Sequence, residues 1–85
     1  MKIEVYTKSG CTHCVQAKQL LEAKSLPYTS YKLKESEAEY GDNLVTRKQL
    51  MEIFPNARTM PQILIDGEAI GGLTELRDRL KQLNV

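Results

Sequence analysis

An alternating apolar run, Ile3–Thr7, breaks at Ser9-Gly10 and gives way at once to a helical pattern opening on Cys11-Thr12-His13-Cys14. The chain must therefore turn from strand to helix within the Lys8–Gly10 loop, and it spends both of its cysteines there. Thiolate, not thiol, is the nucleophile, and a helix N-terminus favours negative charge through unpaired N–H groups and the helix dipole. A second cysteine three residues on lies one turn away, within reach of a disulfide formed at the first sulfur. The spacing is that of a reversible dithiol/disulfide switch, with a metal site as its competitor.

The remaining elements follow from periodicity. In the first strand Ile3, Val5 and Thr7 share a face. A helix is predicted from about Thr12 to Ser25, with Val15, Ala17, Leu20 and Leu21 on its apolar side and Gln16, Lys18, Gln19, Glu22 and Lys24 outside. Leu26-Pro27 ends it, and Tyr28–Leu33 reads as a second strand. Lys34–Asn43 is charged and closes on the turn residues Gly41-Asp42-Asn43, while Ser36-x-x-Glu39 resembles a capping box for a short helical turn. Thr46-x-x-Gln49 is the better box, opening a helix through Leu50, Met51, Ile53 and Phe54 that stops at Pro55. Gln62–Asp66 is a short apolar strand, Asp66-Gly67 a hairpin signal and Glu68–Ile70 its partner. After Gly71-Gly72 comes a last helix, with Thr74 as N-cap and Leu73, Leu76, Leu80 and Leu83 as one stripe. The order βαβ, helix, β-hairpin, helix predicts a four-stranded mixed sheet with helices on both faces, the α/β architecture of the thioredoxin-like fold.

With 85 residues there is room for one domain, 1–85, and no second core. Twelve basic against eleven acidic residues leave a net charge of +1, which gives no field for nucleic acid or an anionic membrane. A chain this short buries only about 60–65% of its unfolded surface, so a cross-link would be welcome. A Cys11–Cys14 bridge, however, closes too short a loop to restrain the unfolded chain much, so the pair is better suited to chemistry than to stapling. Met1–Val5 carries Lys2 and Glu4 within its apolar run and is no secretory h-region, and no stretch approaches the roughly 20 apolar residues of a membrane span. The expectation is a cytoplasmic protein, where thiols stay reduced and a close pair is usually catalytic or metal-binding.

A zinc or iron–sulfur site normally takes four Cys or His ligands, and this chain has two Cys and one His, with His13 between the cysteines. No metal site is therefore expected from this chain alone. A C-x-x-C that follows a strand and opens a helix in a cytosolic βαβ pattern is the specific redox signal. His13 has two readings: an exposed first-turn imidazole without a role, or a group that favours the Cys11 thiolate when protonated. Lys8 adds positive charge from the loop, or is simply solvated. Pro61 belongs at a strand start or edge because it cannot donate to a ladder. Gly71-Gly72 reads either as a tight turn or as an anion seat ahead of a helix N-terminus.

Three blocks resemble the glutaredoxins, of the small bacterial or phage dithiol type, over almost the whole chain. They are Tyr6–Lys18 around the cysteines, Arg58–Asp66 containing Thr59-Met60-Pro61, and Ile70–Leu76 containing Gly71-Gly72. The resemblance implies a cis Pro61, Cys11 as nucleophile, Cys14 as resolving thiol and glutathione as co-substrate, with no tightly bound cofactor. It also implies that Thr59 and Met60 pair with the cysteinyl backbone of glutathione, as an added strand would. Thr74 and Glu75, with the Gly72-Leu73 turn, would hold the γ-glutamyl end; Lys8 and either Arg47 or Lys48 would meet the glycyl carboxylate. His13 would stand beside the sulfurs and the groove.

Two features depart from the family's usual pattern: Thr12-His13 replaces Pro-Tyr between the cysteines, and Glu75 stands where aspartate is commoner. The first is similar to more oxidising disulfide exchangers; the second affects the γ-glutamyl contact. The expected partners are glutathione and disulfide-containing or glutathionylated proteins, ribonucleotide reductase among them, with the protein itself a monomer. Two rivals are a redoxin reduced by thioredoxin reductase and a dimer holding an iron–sulfur cluster through two Cys11 sulfurs and two glutathiones.

Overall fold

In the computed structural model, which describes residues 1–85, the elements are β1 (Ile3–Thr7), α1 (Thr12–Ala23), β2 (Thr29–Leu33), β3 (Leu44–Val45), α2 (Arg47–Ile53), β4 (Gln62–Ile65), β5 (Glu68–Gly71) and α3 (Leu73–Gln82). The strands form one mixed sheet in the order β3-β2-β1-β4-β5. β1 runs parallel to β2 and antiparallel to β4, and β4 runs antiparallel to β5. The fold is thioredoxin-like, and its sheet has five strands where four were expected. The additional strand, β3, runs parallel to the end of β2, fixed by hydrogen bonds from Lys32 N–H to the Asn43 carbonyl (2.9 Å) and from Lys34 N–H to the Val45 carbonyl (2.8 Å). Two residues show no alternation, so a periodicity search passes over them.

The pleat of β1 divides the interior into two layers. Ile3 and Val5 face α1 and α3, opposite Ile65 and Ile63 of β4, and close a core with Ala17, Leu21, Leu73, Leu76 and Leu80. Tyr6 points to the other face, where it stacks on Tyr31 at 4.7 Å and meets Phe54 edge-on at 5.2 Å, with Leu50 completing the smaller cluster. Such aromatic pairs add about 0.5–1.5 kcal/mol beyond their burial. They fix α2 against the sheet just beside the end of β1.

Helix ends account for several differences from the sequence reading. α1 stops at Ala23 rather than Ser25, because Ser25 adopts a left-handed φ of 56°. Ser25 N–H then bonds the Glu22 carbonyl (3.0 Å) and Leu26 N–H the Leu21 carbonyl (2.9 Å), a Schellman closure with serine where glycine is usual. Asn84, φ 61°, closes α3 in the same way and leaves Leu83 47% exposed, outside the stripe to which it was assigned. Val15, expected inside, is 53% exposed, since the buried line of α1 is Cys14, Ala17 and Leu21. On α2 only Leu50 and the C-cap Phe54 are buried, while Met51 and Ile53 face outward.

The N-cap of α3 is Gly72, not Thr74. Tyr28 precedes β2, and β4 ends at Ile65 because Asp66 (φ 50°) and Gly67 (φ 84°) take the two left-handed positions of the hairpin turn. Thr46 and Gln49 form the expected capping box at 3.0 and 2.9 Å. Ser36 and Glu39 instead organise a non-helical turn, Ser36 Oγ accepting from Ala38 N–H and Glu39 from Glu35 N–H.

Candidate active site

Gly10, φ 68°, gives the chain the left-handed step that swings it from β1 into α1, and Cys11 follows as the helix N-cap. Cys11 Sγ accepts the Cys14 N–H at 3.1 Å, and the two sulfurs are joined as a disulfide with their Cα atoms 5.3 Å apart. Cys14 is 2% exposed, whereas Cys11 is only partly covered. An incoming sulfur therefore meets Cys11 first. The first turn of α1 contains no acidic residue, so nothing there opposes the N–H groups that favour a Cys11 thiolate after reduction.

Across from the disulfide, the Met60 carbonyl oxygen lies 3.6 Å from Cys11 Sγ, and the Met60–Pro61 peptide is cis. The Thr59 carbonyl is taken by the Gln62 side chain at 2.8 Å. Pro61 is buried, and its carbonyl would lie 3.2 Å from a Cβ placed on Gly72, so the absence of a side chain at Gly72 lets the Pro61 loop and the start of α3 meet. Gly72 N–H donates to Glu75 Oε1 at 2.7 Å. Glu75 thus occupies the donor that the glycine turn would offer an anion, and Thr74 is exposed one residue before it.

A cleft of about 120 Å³ runs from Lys8 and Met60 to α2. Lys8, Arg47, Thr59 and Met60 line it, together with the apolar Leu50 and Met51, and no carboxylate does. Lys48 is not part of it. Arg58 is, and the sequence reading gave it no role; its place directly before Thr59 was the available signal. His13 is exposed, its imidazole makes no hydrogen bond, and it lines neither this cleft nor a second one beside α1. The two ion pairs of the protein, Lys32–Glu39 (3.0 Å) and Arg79–Glu68 (2.8 Å), use none of these cations. Three positive side chains therefore share one cleft with Met60, whose carbonyl faces Cys11.

The Glutaredoxin family model matches residues 3–70. Glutaredoxin 1 of Rickettsia bellii is 38% identical over 80 residues, covering 94% of this chain and 78% of the relative. Glutaredoxin 3 of Escherichia coli K12 is 32% identical over 74 residues, 87% of this chain and 80% of the relative. Among solved structures, glutaredoxin 1 of Francisella tularensis superposes with a TM-score of 0.74 at 29% identity, covering 98% of this chain and 95% of that one. A thiol pair at the turn from strand to helix, a cis-proline loop facing it and this likeness along most of the chain lead to one conclusion: the chain belongs to the glutaredoxin family, whose members are generally thiol–disulfide oxidoreductases.

Proposed function

We propose that the protein is a glutathione-dependent oxidoreductase that reduces protein disulfides and protein–glutathione mixed disulfides through Cys11 and Cys14. The observation that carries this reading is the asymmetry of the sulfurs, Cys14 buried and Cys11 accessible, with Cys11 against the carbonyl of Met60, a residue that lines a cleft together with Lys8, Arg47 and Arg58.

In the reduced protein the Cys11 thiolate attacks one sulfur of the target disulfide; a new S–S bond forms, the target bond breaks, and the departing thiolate takes a proton. With a protein disulfide, Cys14 then displaces the mixed disulfide, leaving Cys11–Cys14 oxidised and the target with two electrons and two protons. With a glutathionylated protein, Cys11 carries the glutathione and a second glutathione removes it as glutathione disulfide. Glutathione returns the oxidised pair to the dithiol in two such exchanges. The Met60 backbone beside Cys11 and the free cations of the cleft suit a cysteinyl peptide with a terminal carboxylate, which Arg gains by bidentate bonding. Glutathione is then a co-substrate rather than a bound cofactor. No helix is long and apolar enough to cross a membrane, and a reducing cytoplasm suits an enzyme recharged by glutathione.

The test compares wild type, Cys11→Ser and Cys14→Ser with glutathione as reductant. Cys11→Ser should lose all activity. Cys14→Ser should keep removal of glutathione from a mixed disulfide and lose reduction of a protein disulfide. Identical behaviour of the two variants in both assays would overturn the roles. Running the same substrates with thioredoxin reductase as electron donor tests the alternative reductant, and turnover by that route alone would replace glutathione in the scheme.

A further inference from the structure

A second cleft, of about 320 Å³, reaches the disulfide along α1 and shares Lys8, but none of its other lining residues, with the first. Its walls include Lys8, Cys11, Thr12, Val15 and Lys18, and no carboxylate lines it. Lys18 stands one turn beyond Cys14 on α1, is half-buried and takes part in neither ion pair. Val15, between them, is an apolar side chain 53% exposed on a helix that buries Cys14, Ala17 and Leu21. Free positive charge and an unpartnered apolar side chain thus share with the accessible sulfur a cleft that Arg47 and Arg58 do not line.

We propose that this α1 cleft receives the protein substrate, and that it selects disulfides whose cysteine neighbours are acidic with an adjacent apolar residue. The inference rests on Cys11 as the attacking sulfur. When Cys11 displaces one thiol of a target disulfide, the captured segment must lie against the surface next to Cys11. The chain as a whole has a net charge of only +1, yet four cations (Lys8, Arg47, Arg58 and Lys18) line the two clefts that share Lys8 and no anion does. Carboxylates beside the target cysteine find partners at Lys8 and Lys18 that cost no existing ion pair. An apolar neighbour covers Val15. Lys8 serves both clefts, so Lys18 is the residue that reports on this one.

The experiment is single-turnover reduction of short disulfide-bridged peptides by the pre-reduced protein, with no glutathione present. Three peptides carry Leu and either Glu, Gln or Lys pairs beside the cysteine. Exposed charge pairs are individually weak, so the Glu peptide should react about three- to tenfold faster than the Lys peptide in dilute buffer. The ratio should fall toward one in about 1 M salt, where the screening length is about 3 Å. Lys18→Glu, which leaves Lys8 opposed by a carboxylate, should bring the ratio close to one, Lys18→Arg should keep it, and Val15→Ser should slow the Leu-bearing peptides relative to a fourth peptide with Ser in place of Leu. Equal rates for the three peptides with wild type, or a ratio untouched by Lys18→Glu, overturns the cleft assignment and leaves the glutathione reading standing. Failure of wild type to reduce any peptide overturns both.

Discussion

Gly71→Ala should be one of the most damaging single-methyl additions this fold admits, and the damage should be conditional on Glu75. Gly71 has φ 111°, a conformation that L side chains rarely adopt, and its added Cβ would stand 2.7 Å from Glu75 Cγ and Oε1. The backbone term costs roughly 1–2 kcal/mol. Relief of the contact requires Glu75 to swing away, breaking its 2.7 Å hydrogen bond to Gly72 N–H and uncapping α3. Loss of such a cap costs about 0.5–2 kcal/mol. The single substitution should therefore destabilise the protein by about 2–3 kcal/mol, or about 10–20 °C in Tm for a domain of this size.

Glu75→Ala alone forfeits only the cap, about 1 kcal/mol. In the Glu75→Ala background the contact with the Glu75 side chain is gone and the backbone strain remains, so the double variant should be little worse than Gly71→Ala. Urea unfolding of the four proteins gives the coupling directly, with an expected shortfall of about 1 kcal/mol from additivity. Strict additivity would show that the methyl at position 71 does not displace Glu75 from its place at the start of α3, and the reasoning would fail.

Two further predictions concern titrating groups. Tyr28 donates its hydroxyl to Glu22 at 2.7 Å, and burial first, then that hydrogen bond and the carboxylate charge, push its pKa up to about 12. Its neutral form is the one the fold prefers, so this stabilisation is fully present below the ordinary value of 10.0 and is lost as pH rises through about 12. Phenolate absorbance should show a step near the upper value that disappears in Tyr28→Phe and falls back toward 10.0 in denaturant; a native midpoint at 10.0 would refute the contact. His13→Tyr tests the imidazole as a tuner of Cys11: from an exposed position it contributes at most about 1 kcal/mol, so the potential should fall by no more than about 20 mV. A fall of about 60 mV against a glutathione buffer would mean direct contact with the sulfur, and no change at all would leave His13 without influence on the thiolate.

The sequence made the strand-to-helix turn at Cys11 legible because three signals agree there: a period-two run, a Ser-Gly break and a period-3.6 run. The Thr46–Gln49 box and the Asp66-Gly67 turn were legible for the same reason, since each is a local device whose residues name its geometry. What sequence missed was set by tertiary context. Ser25 and Asn84 take left-handed positions that carry no glycine, so α1 reads as longer than it is and Leu83 reads as part of the α3 stripe. β3 exists only because Leu44 and Val45 find the open edge of β2. Val15 and Leu83 are apolar without being core, and Arg58 acquires meaning only when its loop shares a cleft with Lys8 and Arg47. Lys18 does so only when the turn before Cys11 and the exposed side of α1 close a cleft around it.

The placement of the cysteine pair follows from the same topology. β1 is the central strand, bonded to β2 on one side and β4 on the other. Its C-terminal end therefore points between the α2 cluster below and the start of β4 beside it. Whatever follows β1 emerges next to whatever precedes β4, which is why Cys11 meets Met60 across 49 residues of sequence. The start of α3 is drawn to the same corner because β5 pairs with β4, so Gly71 lies opposite Ile63. Three segments with no rigid geometry of their own are thus held in register by one hydrogen-bonded ladder. A buried second sulfur on α1, anchored through Ala17 and Leu21 to the core, keeps its distance from the first as targets come and go. Rigidity there matters more than stability: a loop as short as Cys11–Cys14 adds little to the fold on closing, so the disulfide can open and close without unfolding the domain that holds it.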